Sequence, residues 1–180
     1  PCRDRPTAAL SSLPARAGHA SFSGMNDESA PGQREIFAFL GDAATYGLAE
    51  PVTRIDTHGA AVFLAGEDVY KVKRAIRLPY LDYSTLAKRR AACETELAVN
   101  RANAPLLYLG VVPVTRTADG LRLGGAGEVV EWTIHLRRFD ENATFDRLAE
   151  RGEFDRPLLD DLARAVVTAH ARAPRLRYAA

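Results

Sequence analysis

Two short stretches hold the residues best placed to do chemistry. Val69-Tyr70-Lys71-Val72-Lys73 sets two lysines two positions apart inside an apolar run. In an extended strand they share a face, and an ammonium there is costly unless an anion meets it. Downstream, Cys93-Glu94-Thr95-Glu96-Leu97 puts two acids into a segment with helical period. A strand lysine can supply the charge that phosphate oxygens need. A helix glutamate can hold it in place and favour its charged form. Spacing leaves the choice open. Lys71 and Lys73 point the same way, and Glu94 and Glu96 lie about 80° to either side of the helix's apolar stripe, at 100° per residue. The same residues also fit a strand lysine with its head in water and a solvated helix face.

Other chemistries find little support. His58 falls at a turn, His135 is a lone histidine on the polar face of its strand, and no zinc-ligand spacing occurs. No serine sits in a Gly-x-Ser-x-Gly elbow, and Cys93 reads as helix packing. Gly124-Gly125-Ala126-Gly127 has no lysine after it, so it is not a phosphate-binding P-loop. Trp132 reads as core.

The elements that would carry the lysines and acids follow from periodicity. Residues 34–46 have a helical stripe of Ile36, Phe37, Phe39 and Leu40 that Gly47 ends. Strands are expected at 52–57, 60–65 and 69–74, separated by the turns His58-Gly59 and Gly66-Glu67-Asp68. Residues 75–85 form a connector. A helix over 86–103 shows Leu86, Cys93, Leu97 and Asn100 on one side, and Pro105 stops it. Strands follow at 107–115, 121–123 and 129–139. In the last, Val130, Trp132, Ile134 and Leu136 share one face, and Glu131, Thr133, His135 and Arg137 the other. Helices near 143–151 and 157–172 complete the pattern. The class is α+β: an antiparallel sheet with one long helix packed on it, then helices.

Composition is that of a globular chain. Of 180 residues, 47% are hydrophobic and 26% charged, and 24 Lys and Arg against 23 Asp and Glu leave a net charge of +1. That balance gives no electrostatic case for nucleic acid or an anionic membrane. No apolar run is long enough to span a bilayer. The two cysteines, Cys2 and Cys93, form no metal spacing and fit a reduced, cytoplasmic setting. Residues 1–24 are rich in Ala, Ser, Pro and Arg without period, and Met25 is the expected native start. The expected organisation is a disordered leader over 1–33, a folded unit over 34–139, and the start of a helical unit over 140–180.

Residues 57–116, THGAAVFLAGEDVYKVKRAIRLPYLDYSTLAKRRAACETELAVNRANAPLLYLGVVPVTR, resemble the amino-terminal part of the aminoglycoside phosphotransferase-like kinases. Most similar are the bacterial proteins described as bifunctional aminoglycoside phosphotransferase and ATP-binding proteins. The likeness continues through WTIHLRRFDENATFDRLAERGEFD and LARAVVTAHARAP, covering about residues 34–174. It implies a kinase-like N-lobe followed by the first helices of a C-lobe. The ligands it implies are ATP with Mg2+, and a small-molecule hydroxyl is the acceptor. By resemblance Lys71 matches the nucleotide-phosphate lysine, with Lys73 the alternative. Glu96 matches the helix glutamate, with Glu94 second. Leu136 to Phe139, including Arg138, matches the hinge whose backbone takes adenine. Thr57-His58-Gly59-Ala60 stands at the Gly-rich loop, with one glycine only. The family's His-x-Asp…Asn loop and later metal-binding aspartate have no counterpart: His170 is followed by Ala171-Arg172-Ala173, and Asp160-Asp161 reads as a helix-start charge. The P-loop domain has none either. The expectation is a nucleotide-binding part, silent in catalysis by itself. A kinase-fold binding module that works without catalysis is the alternative.

Overall fold

A computed structural model describes residues 31–173. Residues 1–30 of the expected leader over 1–33, with Met25, and the final residues 174–180 lie outside the described residues. The element order is α1 (Pro31–Gly41), β1 (Thr53–Asp56), β2 (Ala60–Ala65), β3 (Asp68–Lys73), β4 (Arg77–Leu78), β5 (Leu81–Asp82), α2 (Leu86–Arg101), β6 (Tyr108–Thr117), β7 (Gly120–Leu123), β8 (Glu128–Arg137), α3 (Phe145–Glu150) and α4 (Arg156–Arg172). Six strands form one antiparallel sheet in the order β1-β2-β3-β8-β6-β7. The class is α+β, as expected.

The meander β1-β2-β3 forms because Gly66 takes left-handed geometry, φ 60°, in the second turn. In the first turn the Thr57 hydroxyl accepts from Ala60 N. Alternation then divides the residues between two faces. Ala61, Phe63, Ala65, Tyr70, Val72 and Val114 meet Ile36, Phe37 and Leu40 of α1 in the main core. Burying each of those three α1 side chains contributes roughly 1.5–3 kcal/mol. The opposite face of β3 carries Lys71 and Lys73 toward α2.

Several expectations change. α1 starts at Pro31, inside the stretch expected as leader, and Gln33 is buried. The connector over 75–85 contains the small hairpin β4-β5. The supposed polar face of β8 is not a solvent face, because Glu131 and Thr133 are fully buried. β8 has a bulge there: Val114 pairs with Glu131 and Thr115 with Val129, leaving Val130 without a register partner. α2 buries mainly Arg89 and Cys93 rather than a continuous apolar stripe. Among the described residues, no helix is long and apolar enough to cross a membrane.

Candidate functional site

Lys71 and Lys73 reach the same carboxylate. Lys71 Nζ donates to Glu96 Oε1 at 2.8 Å, and Lys73 Nζ donates to Glu96 Oε2. The three side chains form a graded series: Lys71 is 31% exposed, Glu96 14% and Lys73 9%. Two ammoniums around one carboxylate leave one net positive charge, and Lys71 is the cation nearest solvent. Burial works to raise the Glu96 carboxyl, yet the hydrogen bonds from both lysines outweigh it and hold the group below its ordinary value. Burial likewise works to lower Lys73, but Glu96 overrides it and the ammonium stays charged to higher pH than usual. Lys73 also lies 5.4 Å from the centre of the Tyr83 ring, a cation–π contact.

The structure thus separates the two acids that spacing could not. Glu94 turns outward and pairs with Arg90 one helical turn back, at 2.8 Å, with both side chains exposed. Around the lysine cluster, Cys93 is buried and its thiol is pushed up to about 12, chiefly by that burial. Such a thiol is inert packing, as expected. Burial also raises the Tyr108 phenol, and the charge of Glu96 adds to the effect. Sequence reading did not single out Tyr108, which sits opposite Leu136 in the β6-β8 ladder.

The hinge candidates lie at and just past the end of β8. Leu136 is inside the sheet, paired with Val69 on one side and Tyr108 on the other. Arg138 N donates to Glu67 O at 2.8 Å, so the turn between β2 and β3 grips the end of β8. That bond occupies the Arg138 N–H, and the Phe139 side chain is exposed. The turn at 57–60 is a tight two-residue hairpin. Its Thr57 N–H bonds Ala60 O, and Gly59 O accepts from Arg74 N at 3.0 Å. A turn so closed has few backbone donors left for an anion.

Sequence reading also missed a buried polar cluster beside the site. Arg89 Nε donates to Glu131 Oε1 and Oε2 at 2.8 and 2.9 Å, and Arg89 also bonds Tyr83 O at 3.1 Å. Gln33 Nε2 donates to Glu131 Oε2 at 2.7 Å and to Lys73 O at 2.9 Å, while Ala75 N donates to Gln33 Oε1 at 2.7 Å. Trp132 N completes the set on Glu131 Oε1. An acid inside the run Val129-Val130-Glu131-Trp132 is the one signal the sequence offered. A glutamate at the middle of an apolar strand requires a cation.

Both Glu96 oxygens are taken by lysines, so this cluster has no carboxylate to spare for a divalent cation. Among the described residues, no group of three or more His, Cys, Asp or Glu could hold a metal ion. The residues present therefore do not fit Mg2+.

Comparison with known proteins gives distant relatives. The chain is 29% identical over 122 residues to Uncharacterized protein Rv2004c of Mycobacterium tuberculosis and, equally, to Uncharacterized protein Mb2027c of Mycobacterium bovis. The aligned stretch covers 68% of this chain and 23% of each relative, so the chain spans about a quarter of the length of the curated relatives it matches. No family model and no solved structure matches it.

Proposed function

We propose that this chain is the nucleotide-binding, kinase-like N-lobe part of an ATP-dependent phosphotransferase whose acceptor is a small-molecule hydroxyl. The observation that supports this reading is the sharing of one half-buried carboxylate by two strand ammoniums, the more exposed of which keeps a free side toward solvent. In this reading Lys71 binds α- and β-phosphate oxygens, Glu96 orients it, and Lys73 secures Glu96 from within. Backbone groups next to Arg138 and Phe139 meet the adenine. Because the Arg138 N–H is engaged by Glu67, its carbonyl and the Phe139 amide are the groups to bet on. The general base and any metal ligands come from residues other than these, so the chain by itself binds nucleotide weakly and turns nothing over.

The test is ATP titration of the chain by calorimetry, with Lys71→Ala and Lys73→Ala. A charge-assisted hydrogen bond contributes about 1.5–3 kcal/mol, so Lys71→Ala should weaken binding roughly 10- to 100-fold. Equal affinity in the wild type and Lys71→Ala, or no ATP binding at all, defeats the reading. The non-catalytic module remains the second reading. It is favoured by the exposed Val99, Leu106, Val166 and Val167 on and beside α2 and α4.

A further inference from the structure

Glu96 can meet the two lysines only if α2 lies at one fixed height and rotation over β3. Few apolar side chains set that position, since α2 buries only Arg89 and Cys93. Arg89 and Glu96 are seven residues apart, two helical turns and roughly 10 Å along the axis, on nearly the same face. Arg89 is clamped by Glu131 and by Tyr83 O.

We infer that Gln33 of α1 is a positioning residue for the lysine–glutamate cluster, acting as a gauge between β3 and α2. The inference rests on the proposed use of that cluster only for its consequence on nucleotide binding; its geometric core does not. One amide touches both sides of the gap. Its nitrogen holds the main-chain oxygen of Lys73 itself, and its oxygen holds Ala75 N two residues later, so the end of β3 is fixed. The same nitrogen holds Glu131, which holds Arg89 and hence α2. Strand lysines and helix acid are thereby referenced to a single side chain that touches neither ammonium nor Glu96. Gln33 is buried, and no apolar residue of similar volume can make the three bonds. Loss of the Gln33 bonds therefore loosens the grip of Glu96 on Lys71 and Lys73. α1 has a second tether, Glu35 to Arg116 at 2.6 and 2.9 Å, but both partners are solvent-exposed and screened.

The experiment follows the Glu96 carboxyl carbon by NMR across acid pH in the full chain, for wild type, Gln33→Met, Arg89→Lys and Ile36→Val. Arg89→Lys keeps the charge but loses the fork that bonds Glu131 and Tyr83 O together. Ile36→Val loosens the apolar side of the same α1 helix without touching the gauge. The Glu96 midpoint should rise toward its ordinary value in Gln33→Met and in Arg89→Lys, as the lysine bonds slacken. In Ile36→Val it should stay in place even though stability drops. An unmoved midpoint in folded Gln33→Met overturns the inference. If Gln33→Met does not fold, an unmoved midpoint in Arg89→Lys does so instead. A midpoint that moves equally in Ile36→Val also overturns it, because general loosening would then suffice. ATP affinity measured on the same variants separates the two ideas. A shifted midpoint with ATP binding indifferent to both Gln33→Met and Lys71→Ala upholds the gauge and removes the nucleotide.

Discussion

Replacing Glu96 by Gln keeps the shape of the side chain and removes its charge. Lys73, at 9% exposure, is then left beside a neutral amide in a mostly dry setting. Removing one partner of a fully buried ion pair costs about 3–5 kcal/mol, whereas an exposed pair contributes about 0.2–1. The Lys73 half of the cluster lies near the first limit and the Lys71 half, at 31% exposure, near the second. Water entry past Lys71 discounts the sum, so Glu96→Gln should cost about 3 kcal/mol. At roughly 3 °C per kcal/mol for a folded body of this size, the melting midpoint falls by about 10 °C. The matched control is Glu94→Gln on the same helix, two residues away. Glu94 pairs only with Arg90 in solvent, so its loss should cost about 0.3 kcal/mol, or 1 °C. Urea unfolding followed by circular dichroism measures both. Equal midpoints for the two variants, or a Glu96→Gln change within about 0.5 kcal/mol of wild type, would refute the placement of Glu96 between the lysines.

Further outcomes follow from the same side chains. Glu96 has a folded carboxyl value below its ordinary 4.5, so its contribution to stability is whole above about pH 4.5 and fades as pH falls through the folded value. Lys73 is shifted the other way, above 10.5. Its contribution is whole below that pH and is lost as pH rises through the folded value. Urea midpoints at acid and alkaline pH should lose their Glu96 dependence at both extremes; a wild type that outlasts Glu96→Gln equally at every pH contradicts this. For the buried pair, Arg89→Leu alone should cost about 3–5 kcal/mol, and the double change with Glu131→Leu should cost less than that single. Additive losses in the cycle would show that the two residues do not share a bond. Cys93, whose thiol is raised to about 12 mainly by burial, should resist iodoacetamide at pH 9 in the native chain and react in urea, as read by peptide mapping.

Much of the fold was legible because it follows from local chemistry. Residues 60–65 are an apolar run, all but Val62 buried, and Gly66 permits the left-handed turn behind them. Pro105 stands just past α2, which ends at Arg101, two residues short of the expected bound at 103. Such signals lie within a few residues of the elements they set. The errors cluster where distant residues meet. Glu131, Thr133 and His135 alternate like a wetted face, yet Glu131 is sealed because Arg89, 42 residues away, and Gln33, 98 residues away, satisfy it. Gln33 itself sits in a polar stretch that reads as leader, and only its bonds to Lys73, Ala75 and Glu131 make it core.

By itself the sequence, which left open whether an anion or water meets the two ammoniums, determined the α+β order and the common face of Lys71 and Lys73. Periods of two and about 3.6 residues suffice for that. The tertiary structure decided that Glu96 and not Glu94 is that anion, and that both lysines share it. A helix's rotation about its own axis is not encoded by its polar residues alone when acids flank the apolar stripe on both sides. Here it is fixed by a buried arginine two turns away and by the strand glutamate waiting for it.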